Sequence, residues 1–449
     1  MAYFDYRLIL CLVGFVLQLS HCFELDNNEM TKEKARFIFR QQADSIPDYH
    51  TVHVDSHSKY RSKRDAGYSL HLVQFEIDKY KYSLKLNWRR RSVLELSTPI
   101  LLITSVSNET RSYAYKIVEE DKKIIDGVFF EDLDNVATLL AYYDKKRRRI
   151  LYDGIFGLGT ETHVIRSVPE KWRTISKPTE SFKRTNSKEN NEHIVFRPST
   201  HNKKARSSFL DVGYNTDEKD KLNEPVEKLH IKILPVLDYA LFHLLGENVQ
   251  ETLKYVATFW NAVDMQFSQI DRSKIEITVT GVVIATDEDA LTFINECRNK
   301  ADPSKADAFQ FLERARMYFY KNFINDTGIT NYDAIFVMTG LDTKPTAGMS
   351  YIGRICNRLY STAFVLDDAN FLSLHSAVHE LGHLMNFYHD GSDSAEDCNP
   401  YPENDVSTVM APFISEAKSI VWSQCSKRSL EEFIQTKAAK CLREAHRIK

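Results

Sequence analysis

Hydrophobic and polar positions divide the chain into four stretches of different rhythm. The first holds its only strongly apolar run: Arg7 precedes about a dozen mostly apolar residues from Leu8 to Leu19, and Ser20, His21 and Cys22 lead into polar sequence. A positive start, a short apolar core and a polar exit are the pattern of a secretory signal peptide, here residues 1–22. No later stretch approaches the roughly 18 consecutive apolar residues of a membrane span. From about 66 to 165 the rhythm is near period two, in Tyr68–Ile77 and again in the β-prone Val93–Val106, with Gly154, Gly157 and Gly159 punctuating the end. Such alternation predicts strands. From about 167 to 227 Lys, Glu, Asn, Ser, Thr and Pro dominate, which predicts a linker or disordered tract.

The last stretch alternates the two periods. Strands are predicted at Leu229–Val236, Ile275–Ile284 and Tyr332–Thr339, and helices at Asn248–Ile270, Asp307–Phe323, Phe371–Phe387 and Leu430–Arg443. In the longest helix Val249, Leu253, Val256, Phe259, Trp260, Val263 and Phe267 recur at helical spacing, a core-facing stripe. The expected fold class is α/β: a mostly parallel twisted sheet with helices packed on it, preceded by a β-rich region.

Composition narrows the function. A chain of 449 residues with 43% hydrophobic and 27% charged residues has material for a core and is not wholly disordered. A net charge of −3 gives no basic field to recruit nucleic acid. Loss of Cys11 and Cys22 with the signal peptide leaves Cys297, Cys356, Cys398, Cys425 and Cys441. That number is odd, so one cysteine is free or pairs between chains. Asn108 and Asn325 open Asn-x-Thr glycosylation sequons, which fit a secretory route. Arg61–Arg64 has the Arg-x-Lys-Arg pattern of a convertase site, and Lys203–Arg206 is a weaker version inside the polar tract. The run Lys145–Arg149 sits amid β-like sequence and reads as a solvated charged face. A cut at 206 would separate a propeptide, 23–206, from a catalytic region, 207–449.

The chemistry is concentrated in His379–Asp390. His379 and His383 are four residues apart, which on a helix puts both imidazoles on one face where they can close on one metal ion. Glu380 is placed to take a proton from water that the metal activates rather than to bind the metal. His389 would lie on the wrong side of a continuous helix, so the helix must end for it to become a third ligand. Asn386 sits where that turn is needed, and Asn follows Gly in tolerance of a left-handed helix stop. Three histidines leave a fourth tetrahedral position for water, the arrangement of a catalytic zinc site. His375, one turn earlier, reads as structural, because a fourth protein ligand would close the site. Chance matches to the three-histidine pattern arise in roughly one chain in a thousand, so the motif is specific.

About twenty residues on, Ser407–Phe413 places Met410 in a candidate tight turn. The sequence His-Glu-x-x-His, a third His and a Met-turn is the metzincin pattern. With Asp390 after the third His and the tail Trp422–Ser426, Phe433, Cys441 and Leu442, the chain resembles the reprolysin (adamalysin) family of metalloproteases, and is most similar to compact arthropod venom reprolysins. The resemblance covers about 229–442 well and about 66–165 loosely, as a prodomain. It implies one catalytic zinc on His379, His383 and His389, Glu380 as general base, and protein or peptide substrates. It implies that Ala347–Tyr351, with Gly348, Met349 and Ser350, is an edge strand pairing with extended substrate. Ala411, Pro412, Phe413 and Ile414 should wall the pocket after the scissile bond. It also implies Cys356–Cys441 and Cys398–Cys425 disulfides, leaving Cys297 over.

Three departures matter. Asn386 replaces the usual Gly of the extended motif. No cysteine lies between residues 23 and 296, so a thiolate latency switch is missing; the prosegment would have to fill the cleft by strand pairing or offer a group such as His201. Position 232, where a calcium-binding Glu is expected, is Lys, which puts calcium in doubt. The reading is a secreted, monomeric zinc endopeptidase made as a zymogen, a venom-type toxin acting on host proteins. A catalytically inactive binding protein on the same scaffold is the alternative, and an exopeptidase with a glutamate third ligand is disfavoured by His389 and the Met-turn.

Overall fold

The computed structural model describes residues 35, 38–40, 46–60, 69–88, 92–106, 113–119, 125–145, 148–157, 161–168, 192–198, 206–210, 226, 228–270, 275–323, 327–413 and 417–443. The expected signal peptide, the Arg61–Arg64 site, His201, both sequon asparagines and Ile414 lie outside the described residues.

The strands upstream of residue 229 are β1 (Tyr49–His53), β2 (Asp55–Tyr60), β3 (Ser69–Ile77), β4 (Tyr80–Trp88), β5 (Ile100–Ser105), β6 (Tyr113–Ile117), β7 (Val128–Asp132), β8 (Ala137–Asp144), β9 (Arg149–Phe156), β10 (His163–Ser167), β11 (Glu192–Phe196) and β12 (Arg206–Leu210). Nine of them form one antiparallel sheet in the order β1-β11-β10-β9-β8-β7-β4-β3-β2. The β3–β4 hairpin pairs Ile77 with Tyr80 and turns through Asp78 and Lys79, whose φ values of 48° and 70° are those of a two-residue turn matched to strand twist. Val73, Leu84, Leu86, Leu139, Tyr152 and Val195 bury one face of the sheet among themselves. Phe129, Leu140, Ile155, Val164, Ile194 and Phe196 turn the other way and join the core of the downstream region.

Downstream come β13 (Leu229–Leu237), α1 (Tyr239–Leu244), α2 (Val249–Ser268), β14 (Ile275–Val279), β15 (Val282–Ala285), α3 (Thr292–Cys297), β16 (Lys305–Asp307), α4 (Ala308–Tyr318), β17 (Ala334–Thr339), β18 (Asp342–Lys344), β19 (Thr346–Tyr351), β20 (Thr362–Leu366), α5 (Leu374–Leu384), β21 (Val406–Thr408), β22 (Ser419–Val421) and α6 (Gln424–Phe433). The second large sheet runs β12-β19-β20-β17-β13-β15-β5-β6, with β14 also on β13. Its pairings are parallel except β19–β20 and β5–β6. Side chains of β13 alternate between two cores: Ile231, Ile233 and Leu237 face α2 and α5, and Leu234 and Val236 face α3 and α4. Helices on both faces are what a buried parallel sheet requires.

Two sequence expectations are corrected here. The polar tract from about 167 to 227 contains β11 and β12, because the few apolar residues of these five-residue strands, Ile194–Phe196 and Phe209–Leu210, are diluted when averaged over a polar window. The β-rich region also does not merely precede the parallel sheet, since β5 pairs with β15 and carries β6 into the second sheet. Smaller differences concern boundaries. Only Ile100–Ser105 of Val93–Val106 is strand, while Leu94 makes a single bridge to Val279. The predicted strand Ile275–Ile284 breaks at Gly281, where a Cβ would come within 2.7 Å of Leu234 Cδ1. The helix after Ala308 changes to a π turn over Phe319–Phe323, and Leu430–Arg443 is the end of α6 followed by a 3-10 segment, Lys437–Arg443. The helix expected from Phe371 starts at Leu374, since Phe371 has φ 67°.

Candidate metal centre

Helix α5 presents His379, Glu380 and His383, all at most 1% exposed. Its end has the double hydrogen bond of a left-handed stop: Asn386 N–H donates to His383 O at 2.8 Å and Phe387 N–H to Gly382 O at 2.9 Å, with Asn386 at φ 73°. The chain then doubles back and brings His389 Nε2 within 3.1 Å of both His379 Nε2 and His383 Nε2. Nδ1 of His379 faces Val409 O at 2.7 Å, and Nδ1 of His383 faces Phe387 O at 2.6 Å. A carbonyl can only accept, so each Nδ1 carries the proton and each Nε2 presents a lone pair. Burial first, and then the neighbouring imidazoles, hold both rings well below their ordinary pKa, hence neutral. Lone pairs converging at this distance repel unless a cation lies among them, so the donor set fits a zinc ion. His375 is outside the trio, 6.4 Å from His379 between ring centroids.

Glu380 is turned away from the trio's backbone partners and towards β19. Ser350 Oγ donates to its Oε2 at 2.6 Å. A Cβ on Gly348 would lie 2.9 Å from Oε1, so the glycine leaves room for the carboxylate. Below the trio, Met410 is fully buried, and a Cβ on Gly382 would meet its Sδ at 2.8 Å. Asp390 N–H donates to Met410 O at 2.9 Å, and Ser423 Oγ donates to Asp390 Oδ1 at 2.8 Å, tying the turn and the C-terminal segment to the third histidine. Of the expected pocket wall, Ala411 is buried and Phe413 is 47% exposed.

Residues 229–445 match the family described as Reprolysin (M12B) family zinc metalloprotease. That region is a reprolysin-type zinc metalloprotease domain. Three insect relatives, all from Eulophus pennicornis, extend the likeness over nearly the whole chain. "Venom metalloproteinase 3" is 29% identical over 94% of this chain and 96% of its own length. "Venom metalloproteinase 2" is 28% identical over 88% and 91%, and "Venom metalloproteinase 1" is 26% identical over 94% and 91%.

The reprolysin domain contains two disulfides, Cys356–Cys441 and Cys398–Cys425. Cys297 is unpaired and 4% exposed, and burial pushes its thiol up to about 12. Lys232 places its ammonium 3.4 Å from Asp333 Oδ1, while its own N–H donates to Asp333 Oδ2 at 2.9 Å. A fixed cation therefore already faces that carboxylate.

Three features escaped sequence reasoning. The hydroxyl of Ser350 bonds the base candidate, although the strand was read only as a substrate edge. Arg40 and Arg166 converge on Glu251 of α2, at 3.4 and 3.2 Å, which no motif signals because the residues are far apart in the chain. Phe209 packs over the histidines, 4.6 Å from His383 and 5.1 Å from His389 between ring centroids. Its only sequence signal is the apolar pair Phe209–Leu210 in a polar tract.

Proposed function

We propose that this protein is a secreted zinc endopeptidase of metzincin type, made as a zymogen and used as a venom-type toxin on host proteins. The observation that carries the proposal is the convergence of three imidazole Nε2 atoms, with a buried carboxylate on the same helix. His379, His383 and His389 would hold a single ion; bound there, zinc supplies Lewis-acid activation of water and of the peptide carbonyl. Glu380 accepts the proton of the attacking water and returns it to the departing amine. Ser350 and the space above Gly348 hold the carboxylate in place for both transfers. The edge of β19 aligns extended substrate by main-chain pairing, and Ala411, Pro412 and Phe413 border the side chain after the scissile bond. Met410 supports the trio from below. Residues 1–22 act as signal peptide and 23–206 as propeptide, with Asn108 and Asn325 glycosylated, and the mature protein is a monomer. The venom role is supported by the names of the insect relatives, and the calcium site is replaced by Lys232.

Two variants test the mechanism. Glu380→Gln should keep one zinc per chain and lose peptidase activity by about 10²–10⁴-fold, the range of general base catalysis. His383→Ala should lose both zinc and activity, because two histidines trap zinc poorly. Metal analysis beside digestion of casein, with and without chelator, decides. Wild-type cleavage by Glu380→Gln, or full zinc in His383→Ala, refutes the assignment, and a zinc-loaded processed protein that cuts nothing supports an inactive binding scaffold.

A further inference from the structure

Strand β12 lies along the outer edge of β19, the edge assigned above to substrate. It runs parallel to β19, with Ser207 opposite Gly348, Ser208 opposite Met349, Phe209 opposite Ser350 and Leu210 opposite Tyr351. Ile352 N–H closes the ladder by donating to Leu210 O at 3.1 Å. Strand edges pair once, so no other extended segment can add to β19 while β12 is there. Phe209 stands at the register of Ser350, the residue that bonds Glu380, and its ring packs against His383, His389 and Tyr388. A hydrocarbon ring offers no lone pair to a metal, but packed this close it takes up space beside His383 and His389 that water or peptide would otherwise enter.

We propose that residues 206–210 are a built-in occupant of the substrate cleft, that Phe209 caps the histidine trio in the role a thiolate would otherwise fill, and that activation requires a cut after Leu210 in addition to the cut that ends the propeptide near Arg206. The inference rests on the endopeptidase reading and adds its regulation. The position of the cut follows from the register. Severing the chain after Arg206 leaves Ser207–Leu210 as a new N-terminus, joined to β13 through residues 211–228. A tether of that length keeps the segment at an effective concentration on the order of millimolar, so the cleft stays filled. A cut beyond Leu210 alone also leaves it tethered, through residues 197–205 to β11, whose Ile194 and Phe196 pack in the downstream core, so only the two cuts together remove that advantage. The remaining hold is a five-residue parallel ladder, the weaker kind of pairing, which substrate can displace. The family match begins only at residue 229, so the occupant lies outside the reprolysin domain.

Two full-length chains test this, one with a specific-protease site replacing residues 201–205 and one with that site and a second within 212–217. After complete cutting and with zinc present, the second should digest casein and the first should stay at least about tenfold less active, a difference of about 1.4 kcal/mol. Hydrogen exchange supplies a readout independent of activity: amides of 346–352 should stay protected after the upstream cut alone and lose protection after both cuts. In the uncut chain Phe209→Ala should raise activity about tenfold and Phe209→Tyr should not. Equal activity and equal exchange of the two cut forms overturn the proposal, as does an uncut Phe209→Ala chain no more active than the parent when the doubly cut form is active. If neither cut form digests casein, yet exchange still distinguishes them, the endopeptidase reading fails and the occupancy of the cleft stands.

Discussion

Replacing Gly348 by alanine probes the proposed base without touching a candidate ligand. The new Cβ would stand 2.9 Å from Glu380 Oε1, 3.1 Å from Cγ and 3.4 Å from Cδ. An unstrained carbon–oxygen contact is about 3.3 Å or more, so the carboxylate must give by about 0.4 Å. It has little freedom to do so, being fully buried and held at Oε2 by Ser350 at 2.6 Å. Overpacking of this kind costs about 1–3 kcal/mol. Misplacing a catalytic group by about 1 Å costs about a hundredfold in rate, and the shift here is a good part of that. The processed Gly348→Ala enzyme should therefore lose about 10–100-fold in kcat while binding zinc stoichiometrically, with Tm lowered by roughly 2–12 °C. A double-mutant cycle isolates the cause, because in a Glu380→Gln background the same alanine should cost little more. Wild-type kcat in Gly348→Ala, or an equal loss with and without the Glu380 carboxylate, would refute this account.

Two further predictions concern single side chains. Ser350→Ala removes the donor to Glu380 and should lower kcat by about 10–100-fold at unchanged KM, the worth of a hydrogen bond to a charged group; Ser350→Thr should recover most of it in steady-state assays. Millimolar calcium should leave Tm unchanged, because the Lys232 ammonium already faces Asp333; a calcium-dependent rise in thermal unfolding would count against this.

Local pattern reached the elements that matter most for the candidate centre. The helical spacing of His379, Glu380 and His383, and the need for a stop at Asn386, are both short-range facts, and φ 73° at Asn386 is their structural form. The strand Leu229–Leu237 and helix Val249–Ser268 were legible because each holds one periodicity over its whole length, the latter with Asn248 capping Glu251 N–H. What pattern could not reach is long-range partnership. Nothing in Ile100–Ser105 says that it will pair with Val282–Ala285 rather than with its own neighbours. Likewise Phe209 gains its place over the histidines only through the pairing of β12 with β19, which depends on a strand more than a hundred residues away.

That pairing gives the second sheet an unusual construction: both of its edges, β12 and β5–β6, come from upstream of the reprolysin domain. The two edges should behave differently once the chain is cut. Strand β12 is short, and Phe209 and Leu210 are only half-buried. By contrast Leu101, Ile103 and Tyr113 of β5–β6 are 1%, 0% and 5% exposed in the core with Val283 and Leu234. Uncovering three such side chains costs about 5–9 kcal/mol, and it would bare the apolar edge of Val282–Ala285, a hazard for aggregation. A second anchor is Glu251. Burial alone would raise its pKa, but the guanidiniums of Arg166 and Arg40 outweigh that and hold it at about 2, against an ordinary 4.5. A carboxylate depressed in this way contributes fully above 4.5 and loses its contribution as pH falls from there towards 2. The upstream region should therefore stay bound to the reprolysin domain after cutting at neutral pH and at pH 5–6, and separate on gel filtration only in stronger acid. Glu251→Gln, which leaves two buried guanidiniums without their carboxylate, should release it near neutrality. Separation of the wild-type fragments at pH 7 immediately on cutting would show that neither the apolar hairpin nor the Glu251 cluster holds the two regions together.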